Sequence, residues 1–495
     1  MGATQSTVPA SPAVEKAIVE QRAIDELAHR VANLGTLGAP VSADGSLSLD
    51  SLKAWQEETK DDDKLKLART ILAHNDIQTA IADRRAYVAD AHVFNLTVPF
   101  STGPVTNQRS SGRCWLFATT NVLRYNIMQQ LSLDDFQLSQ SYLFFADKLE
   151  KANYYLELSI HHADLPLDSR LVSHLASAPI NDGGQWDMAR NLLERYGVVP
   201  QAIYPESYSS SNSRGINATL TSRLREMALT LRELVKGEQV GGAALMRARA
   251  AKEEFMAEIW KAMTATLGVP PQPDQKFSWD YKDKDGKVKN WEGTPREFYK
   301  AFSSKQYPAL QAFSLINDPR NDYGKLYTVE ALGNIWGMRG VEYVNTESKR
   351  LKEAIVACIK AGQPVFFGCD VGKFLDQPHG IMDLDLYDFK NALGLKHAMS
   401  KEQRLRTGDS AMTHAMVISG VHLDTSGAPV RYRVENSWGD ALGDKGYFVM
   451  TDKWFDEYVF QVVVPRQLAA KDLTKILDGG KPTVLPAWDP MGALA

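Results

Sequence analysis

Apolar residues follow different periods in different parts of this chain, and the change predicts its architecture. From Cys114 to Leu131 they recur at helical spacing, which predicts a helix. Beyond residue 349 the apolar runs are short and separated by turn residues. They predict a helix at 349–361 and strands at 364–370, 414–421, 430–437, 446–451 and 458–464. A helical part followed by a β-rich part is typical of the α+β class.

The same pattern divides the chain into five segments. Small polar residues at 1–15 predict disorder, and helices are predicted for Val14–Leu34, Asp50–His74 and Ile77–Val88. The predicted segments are an N-terminal arm at 1–75, a helical half at 76–205, a mostly helical insertion at 206–348, a β-rich half at 349–465 and a C-terminal tail at 466–495.

Composition narrows the class of protein. With 495 residues, 44% of them hydrophobic, the chain is long enough for a large core in two or three domains, or in one domain with insertions. The net charge of −4 excludes a generally basic surface, so any patch that binds nucleic acid must be local.

Cysteine usage and targeting signals indicate the compartment. Cys114, Cys358 and Cys369 form no disulfide framework, which indicates a reducing compartment, and the last two are expected to be core thiols. We expect a cytoplasmic protein, with a mitochondrial or weakly membrane-associated pool left open. No apolar run approaches the ~20 residues of a membrane span. The first six residues match a myristoylation pattern at Gly2, but one acyl chain alone binds membranes only marginally, so no stable insertion is expected.

Cys114 is the candidate nucleophile. A lone cysteine is more often a buried core thiol. Here, however, the thiol stands at the start of a predicted helix, where unpaired N–H groups and the helix dipole favour the thiolate. Gln108, six residues earlier, carries an amide that is expected to donate to an oxyanion forming near the sulfur.

A cysteine nucleophile needs a base, and the base needs an orienting group. His414 enters an apolar strand, and Asn436 ends the next one after a turn at Asp424–Gly427. Neighbouring antiparallel strands would bring the two side chains together. Asn436 would then hold one imidazole nitrogen while the other faces Cys114, and Trp438 would shield that bond from water.

These residues resemble the papain-like cysteine proteases. The shared pattern is Gln-x₅-Cys-Trp from Gln108 to Trp115, then His414, then Asn-Ser-Trp-Gly from Asn436 to Gly439. Ser111-Gly112-Arg113 precedes the nucleophile in place of the usual local signature, and His414 lies 300 residues further on (414 − 114), so a large insertion is required. Both departures fit the bleomycin hydrolase branch. Further matches are the segments 139–145, 181–187, 405–414 and 486–495.

The resemblance implies a two-half papain-like fold and an aminopeptidase without metal or other cofactor. It implies catalytic roles for Cys114, His414 and Asn436, with Gln108 in the oxyanion hole. It also implies a homohexamer, and peptides, bleomycin-type amides and homocysteine thiolactone as substrates. The Gly183-Gly184 segment would pair with substrate backbone. Finally, the tail would lie in the active-site cleft, where the carboxylate of Ala495 recognises the substrate N-terminus.

A basic hairpin carries the alternative function. Lysines crowd a predicted turn at Asp285-Gly286, and the simplest interpretation is a solubilising exposed ribbon. Members of the resembling family that bind DNA suggest instead a nucleic-acid-binding regulatory protein on a peptidase scaffold. A ring of such patches in an oligomer would bind single-stranded DNA through multivalency. The lysines concerned are Lys282, Lys284, Lys287 and Lys289.

Overall fold

The computed structural model describes residues 45–89, 91–99, 103–236, 242–302 and 308–494. Gly2, the predicted disordered segment 1–15, the predicted helix Val14–Leu34 and Ala495 lie outside these residues.

The helices of the described chain are α1 (Leu49–Lys60), α2 (Asp63–Leu72), α3 (Ile77–Ala80), α4 (Arg84–Ala89), α5 (Cys114–Leu131), α6 (Gln140–His161), α7 (Arg170–Ser177), α8 (Trp186–Tyr196), α9 (Tyr208–Ser211), α10 (Arg214–Val235), α11 (Ala243–Leu267), α12 (Pro295–Phe302), α13 (Ser348–Lys360), α14 (Phe389–Leu393), α15 (Lys401–Thr407), α16 (Asp452–Tyr458) and α17 (Lys471–Gly479).

The strands are β1 (Leu96–Thr97), β2 (Phe277–Lys282), β3 (Val288–Gly293), β4 (Ala312–Ile316), β5 (Lys325–Val329), β6 (Glu342–Asn345), β7 (Val365–Cys369), β8 (Leu375–Asp376), β9 (Ile381–Met382), β10 (His414–Leu423), β11 (Pro429–Glu435), β12 (Tyr447–Thr451), β13 (Val459–Pro465) and β14 (Thr483–Leu485). The predicted α+β class is confirmed.

The smaller of two compact units comprises the described residues 45–82 together with 388–396. Within it, α2 packs against α3 and α14. The sequence predicted one helix over Asp50–His74, whereas α1 ends at Lys60 and α2 begins at Asp63. The break occurs because Asp62 accepts hydrogen bonds from the backbone N–H groups of the next turn and so caps a new helix.

In the larger unit, α5 is the central helix, with the bounds that its periodicity predicted. Every residue from Cys114 to Met128 is buried. The helix packs against β7 and β10 and also against α6 and α8. Because the helix is covered on several sides, even its polar side chains are buried, among them Thr119, Asn121 and Arg124.

The main sheet brings the distant end of the chain to this helix. Its 12 strands run in the order β14-β5-β6-β4-β13-β7-β10-β11-β12-β9-β8, with β1 added to β10. Strand β10 lies between β7 and β11 and is antiparallel to both. Val417 pairs with Glu435, so the end of β11 lies beside the start of β10. His414, at the start of β10, and Asn436, just after the end of β11, therefore lie side by side.

The stretch 206–348 is only partly helical. Helices α10 and α11 pack against each other and against α6, and β2 and β3 form the predicted hairpin. Strands β4, β5 and β6 also lie in this stretch, however, and they join the main sheet beside β13. The sheet thus begins well before residue 349, where the β-rich half was predicted to start.

One buried ion pair connects the central helix to the sheet. Arg124 on α5 donates a hydrogen bond of 2.6 Å to Glu435, the last residue of β11. The two side chains are 1% and 5% exposed. Because Asn436 follows Glu435 directly, this pair holds the site's amide residue in register with the helix that begins at Cys114.

None of the described helices combines the length and the apolar character that a bilayer span requires.

Removing one member of the Arg124–Glu435 pair should destabilise the protein. In Arg124→Met the buried Glu435 carboxylate loses the positive charge of its ion pair, so we expect the free energy of unfolding to fall by about 3–5 kcal/mol. Urea unfolding followed by tryptophan fluorescence measures this. The double variant Arg124→Met/Glu435→Gln should recover part of the loss, because it removes the buried charge. A double variant no more stable than the single one would contradict this account.

Candidate active site

Cys114 is the first residue of α5, and its burial decides its protonation. The carbonyl of Arg113 accepts the first intrahelical hydrogen bonds, from Leu116 and Phe117. The thiol is 2% exposed. Burial raises the pKa of Cys114 to about 11, although the backbone N–H groups of Ala415, Trp115 and Cys114 itself act in the opposite direction. The sequence predicted a thiolate at this helix start. In the structure, however, the cost of burying a charge outweighs the effect of the helix terminus, and the neutral thiol is favoured.

His414 is oriented by Asn436. The imidazole Nε2 lies 2.9 Å from the Asn436 side-chain oxygen, which also accepts a 2.8 Å hydrogen bond from the Ser437 backbone N–H. Since that oxygen only accepts, Nε2 carries the proton and Nδ1 keeps its lone pair. Burial lowers the pKa of His414 to about 4, and the bond to Asn436 opposes the shift only in part. The imidazole is therefore neutral at neutral pH and ready to accept a proton.

Trp438 covers the pair of side chains. Its ring centroid lies 4.8 Å from that of His414, with an angle of 31° between the planes. His414 is 4% exposed and Asn436 is 1% exposed. Hydrogen bonds are stronger in such a dry setting than in water, and the ring orientation is correspondingly rigid.

Gln108 is held by four hydrogen bonds, one of which its carbonyl accepts from the Ser111 hydroxyl at 2.6 Å. Its Nε2 donates to the Ser111 carbonyl at 2.7 Å, and its Oε1 accepts from the Ser437 hydroxyl at 2.6 Å. Its backbone N–H donates to the Ser437 carbonyl at 2.8 Å. One amide proton of Gln108 is left over, which suits a donor to a developing oxyanion.

Sequence reasoning assigned no role to Ser437, although it lies between Asn436 and Trp438 in the motif. Its hydroxyl sets the orientation of the Gln108 amide, and its backbone N–H sets that of Asn436. A serine directly after the orienting Asn was the available signal. Its two partners, however, become visible only in three dimensions.

The Gly183-Gly184 segment forms a wall next to the nucleophile. The indole N–H of Trp115 donates to the Asp182 carbonyl at 2.7 Å. A Cβ on Gly184 would collide with the Trp115 ring, and one on Gly183 would lie 2.7 Å from the Cβ of Leu494. Glycine is required at these two positions because the Trp115 ring and Leu494 approach the backbone closely.

The C-terminal tail, which includes Leu494, is held by residues that are distant from it in sequence. Asp489 pairs with Arg320 at 2.7 Å, and Tyr343 donates from its hydroxyl to the Met491 carbonyl at 3.1 Å. Gln185 donates to the Ala493 carbonyl at 2.6 Å. The tail is therefore fastened as far as Leu494, against the glycine segment. Ala495, the predicted recognition residue, lies outside the described residues.

A cavity of about 390 Å³ opens beside this part of the tail. Gly183 and Leu494 stand at its edge, and its walls include Tyr154, Leu158 and Leu332. Its lining includes the tail residues Gly492 and Leu494 but not Cys114.

The four hairpin lysines lie away from these residues, on β2, β3 and the turn that joins them. Lys282, Lys284 and Lys287 are exposed, whereas Lys289 pairs with Asp283 at 3.0 Å. Nucleic-acid binding stays a prediction. Among the described residues no three His, Cys, Asp or Glu side chains gather in a way that would hold a metal ion.

Comparison with known proteins shows the family of this chain. The model of the Peptidase C1-like family matches residues 46–492. Cysteine proteinase 1, mitochondrial, of Saccharomyces cerevisiae (strain YJM789) is 43% identical over 456 residues, which cover 91% of this chain and 93% of that protein. Aminopeptidase C of Streptococcus thermophilus is 41% identical over 454 residues, 91% of this chain and 99% of that protein.

A solved structure is similar throughout. The crystal structure of PepW from Lactobacillus rhamnosis HN001 superposes with a TM-score of 0.87 at 39% identity and covers 91% of this chain and 100% of that one. The chain therefore belongs to the Peptidase C1-like family, and within it to the cysteine-type aminopeptidases related to bleomycin hydrolase.

Proposed function

We propose that this enzyme removes residues from the N-terminus of peptides through an acyl-enzyme formed on Cys114. The observation that carries the proposal is the position of the His414 imidazole, which Asn436 holds by a hydrogen bond. His414 begins β10, and the backbone N–H of the next residue on that strand, Ala415, contacts the Cys114 thiol. A nucleophile, a base and an orienting amide are the three parts that nucleophilic catalysis by cysteine requires.

The first half of the reaction breaks the peptide bond. Cys114 passes its proton to Nδ1 of His414 as its sulfur attacks the scissile carbonyl. The carbonyl oxygen becomes an oxyanion that accepts hydrogen bonds from the Gln108 amide and the Cys114 backbone N–H. When this intermediate collapses, the carbon–nitrogen bond breaks, and Nδ1 returns the proton to the leaving amine.

The second half releases the acyl group. Water replaces the departed amine and loses a proton to His414 while its oxygen attacks the thioester. The carbon–sulfur bond breaks, the acid leaves, and the proton returns to the sulfur. Asn436 keeps Nε2 protonated throughout, so the same nitrogen, Nδ1, exchanges protons in both halves.

The tail supports an exopeptidase. A papain-like cleft open at both ends suits internal cleavage, but here Leu494 lies against Gly183 and the Ala493 carbonyl accepts a hydrogen bond from Gln185. We propose that this segment closes the side of the cleft that would hold residues before the scissile bond. A carboxylate at Ala495 would then pair with the substrate ammonium group, so that one residue is removed at a time.

The finer assignments rest on the resemblance. We propose peptides, bleomycin-type amides and homocysteine thiolactone as substrates, and a homohexamer as the assembly. The cytoplasmic location also stays a prediction; the yeast relative carries the word mitochondrial in its own name.

Replacing the nucleophile should abolish turnover. Cys114→Ala is expected to lower hydrolysis of aminoacyl fluorogenic substrates by more than about 1,000-fold, because no thioester forms. Cys358→Ala is the matched control and should keep wild-type activity, since that thiol is buried on α13 away from the site. Peptidase activity retained in Cys114→Ala would show that another residue is the nucleophile.

The pH profile should report the neutral imidazole. His414 can accept the thiol proton only while it is unprotonated, and burial lowers its pKa to about 4. Activity should therefore persist as pH falls below the ordinary histidine pKa and be lost as pH falls through about 4. The measurement is kcat/KM between pH 3 and 8 over a pH range in which the enzyme remains folded. An acid limb centred at pH 6.5 or above would contradict the buried, neutral His414.

Shortening the tail should change the kind of cleavage. Deleting residues 492–495 is expected to lower aminopeptidase turnover and to allow internal cleavage of N-acetylated peptides, because the glycine wall and the adjoining cavity become free. Leu494→Ala is the control: it trims one side chain but keeps the end of the chain, and blocked peptides should remain uncut. A shortened enzyme that keeps full aminopeptidase activity and still rejects blocked peptides would exclude the tail as the determinant.

A further inference from the structure

The carboxylate of Asp182 joins three separate parts of the larger unit. Its Oδ2 accepts a 2.9 Å hydrogen bond from the backbone N–H of Gly112, two residues before the nucleophile. Oδ2 also accepts a hydrogen bond from the Ser213 hydroxyl, and Oδ1 accepts a 2.6 Å bond from the side chain of Asn217. Asp182 itself precedes the glycine wall. The nucleophile loop, the wall and the start of α10 are thus all bound to one side chain.

A buried ammonium group neutralises this carboxylate. Lys148 on α6 lies 2.6 Å from Oδ1 of Asp182, and its side chain is 0% exposed. It also donates to the Ile180 carbonyl at 2.6 Å, so it is directed at the loop that carries Asp182. A carboxylate buried this deeply would be costly without such a partner.

We propose that Asp182 and Lys148 are positioning residues of this peptidase. Asp182 holds the loop before Cys114 against the glycine wall and the insertion, and Lys148 cancels the negative charge which that arrangement places near the nucleophile. The inference rests on the proposed role of Cys114 and adds two residues that act through it.

The electrostatics agree with the geometry. Burial is the main cause that raises the pKa of Cys114, and the Asp182 carboxylate adds to it. Burial by itself would raise the pKa of Asp182, but Lys148, Ser213 and Asn217 outweigh burial and hold it below its ordinary value. Burial lowers the pKa of Lys148 to about 8, and Asp182 opposes that shift. Near neutral pH both groups are therefore charged.

The neighbouring charges do not replace this pair. Lys151 and Asp147, one turn apart on α6, pair with each other at 2.8 Å. Lys151 also donates to the carbonyl of Gly183 at 2.6 Å, which engages it with the wall itself. Without Lys148, the carboxylate of Asp182 would remain ionised through its three hydrogen-bond donors and would oppose the ionisation of Cys114.

The insertion takes part in this arrangement. Ser213 and Asn217 stand just before and in the first turns of α10, and Asp182 accepts hydrogen bonds from both. A change at the start of α10 is therefore transmitted to Gly112 through a single carboxylate. On this view the insertion helps to set the nucleophile's environment.

Alkylation of the full-length enzyme tests the inference. The rate at which iodoacetamide modifies Cys114, followed by mass spectrometry of its peptide from pH 5 to 10, reports ionisation of the thiol. In Lys148→Met we expect the rate at pH 7 to fall about threefold to tenfold and the profile to move to higher pH, because Asp182 is no longer neutralised. The double variant Lys148→Met/Asp182→Asn should recover most of the wild-type rate.

A matched control separates this role from a structural one. Lys252 on α11 forms a similar ion pair, at 2.6 Å, with Glu157 on α6, and the lysine side chain is 8% exposed. Lys252→Met should lower thermal stability to a similar degree and leave the alkylation profile unchanged. If Lys148→Met proves too unstable, Asn217→Asp adds a second carboxylate beside Asp182 at a half-buried position and should move the profile in the same direction.

The outcomes are distinct. An alkylation profile that stays at its wild-type position in Lys148→Met and in Asn217→Asp overturns the inference, whatever happens to stability, and leaves the proposed peptidase function intact. Loss of the function itself appears separately, as a wild-type enzyme whose activity survives complete alkylation of Cys114. A profile that moves in both variants, and returns in the double variant, supports the two positioning roles.

Discussion

The packing of one helix against one strand is the constraint on which this protein depends. Cys114 begins the helix α5, and His414 begins the strand β10, 300 residues later. Only the fold brings these two segments of the chain together. The buried ion pair between Arg124 and Glu435 joins the helix to the neighbouring strand, and Asn436 follows that strand directly. The core that stabilises the fold therefore also brings the candidate site residues together. A loss of packing between helix and sheet would separate Cys114 from His414 and Asn436.

Burial also determines the protonation states of Cys114 and His414. The helix terminus and nearby N–H groups favour a thiolate at Cys114, yet desolvation raises the pKa of that thiol and lowers that of His414. The resting pair is consequently neutral, and in the proposed reaction the charges appear when the proton moves from Cys114 to His414. Polar groups then matter through their orientation: Asn436 fixes the imidazole, Ser437 fixes Gln108, and Asp182 fixes the loop between Gln108 and Cys114.

Patterns among neighbouring residues predicted many of the helices and strands and the candidate site residues. The helix Cys114–Leu131 has the bounds that its periodicity indicated, and the ends of β7, β10 to β12 and β13 lie within two residues of prediction, because turn residues mark them. The short motifs around Cys114, His414 and Asn436 were recognisable because close chemistry restricts which residues can stand there. The long stretch 206–348 shows the limit. Its helices were evident, but β4 to β6 were not, since whether a short apolar run becomes a strand depends on its partner strands, and β4 pairs with β13, more than 100 residues away.

The sequence by itself therefore determined the class, the family and the candidate nucleophile, base and orienting amide. Only the tertiary structure decided which hydrogen bonds orient them, that the described tail lies against Gly183, and that Lys148 stands opposite Asp182. The physical reason is the same in each case. Helical period, turns and motifs are properties of neighbouring residues, whereas desolvation, ion pairing and hydrogen-bond partners depend on which distant segments are buried together, and that information is spread over the whole chain.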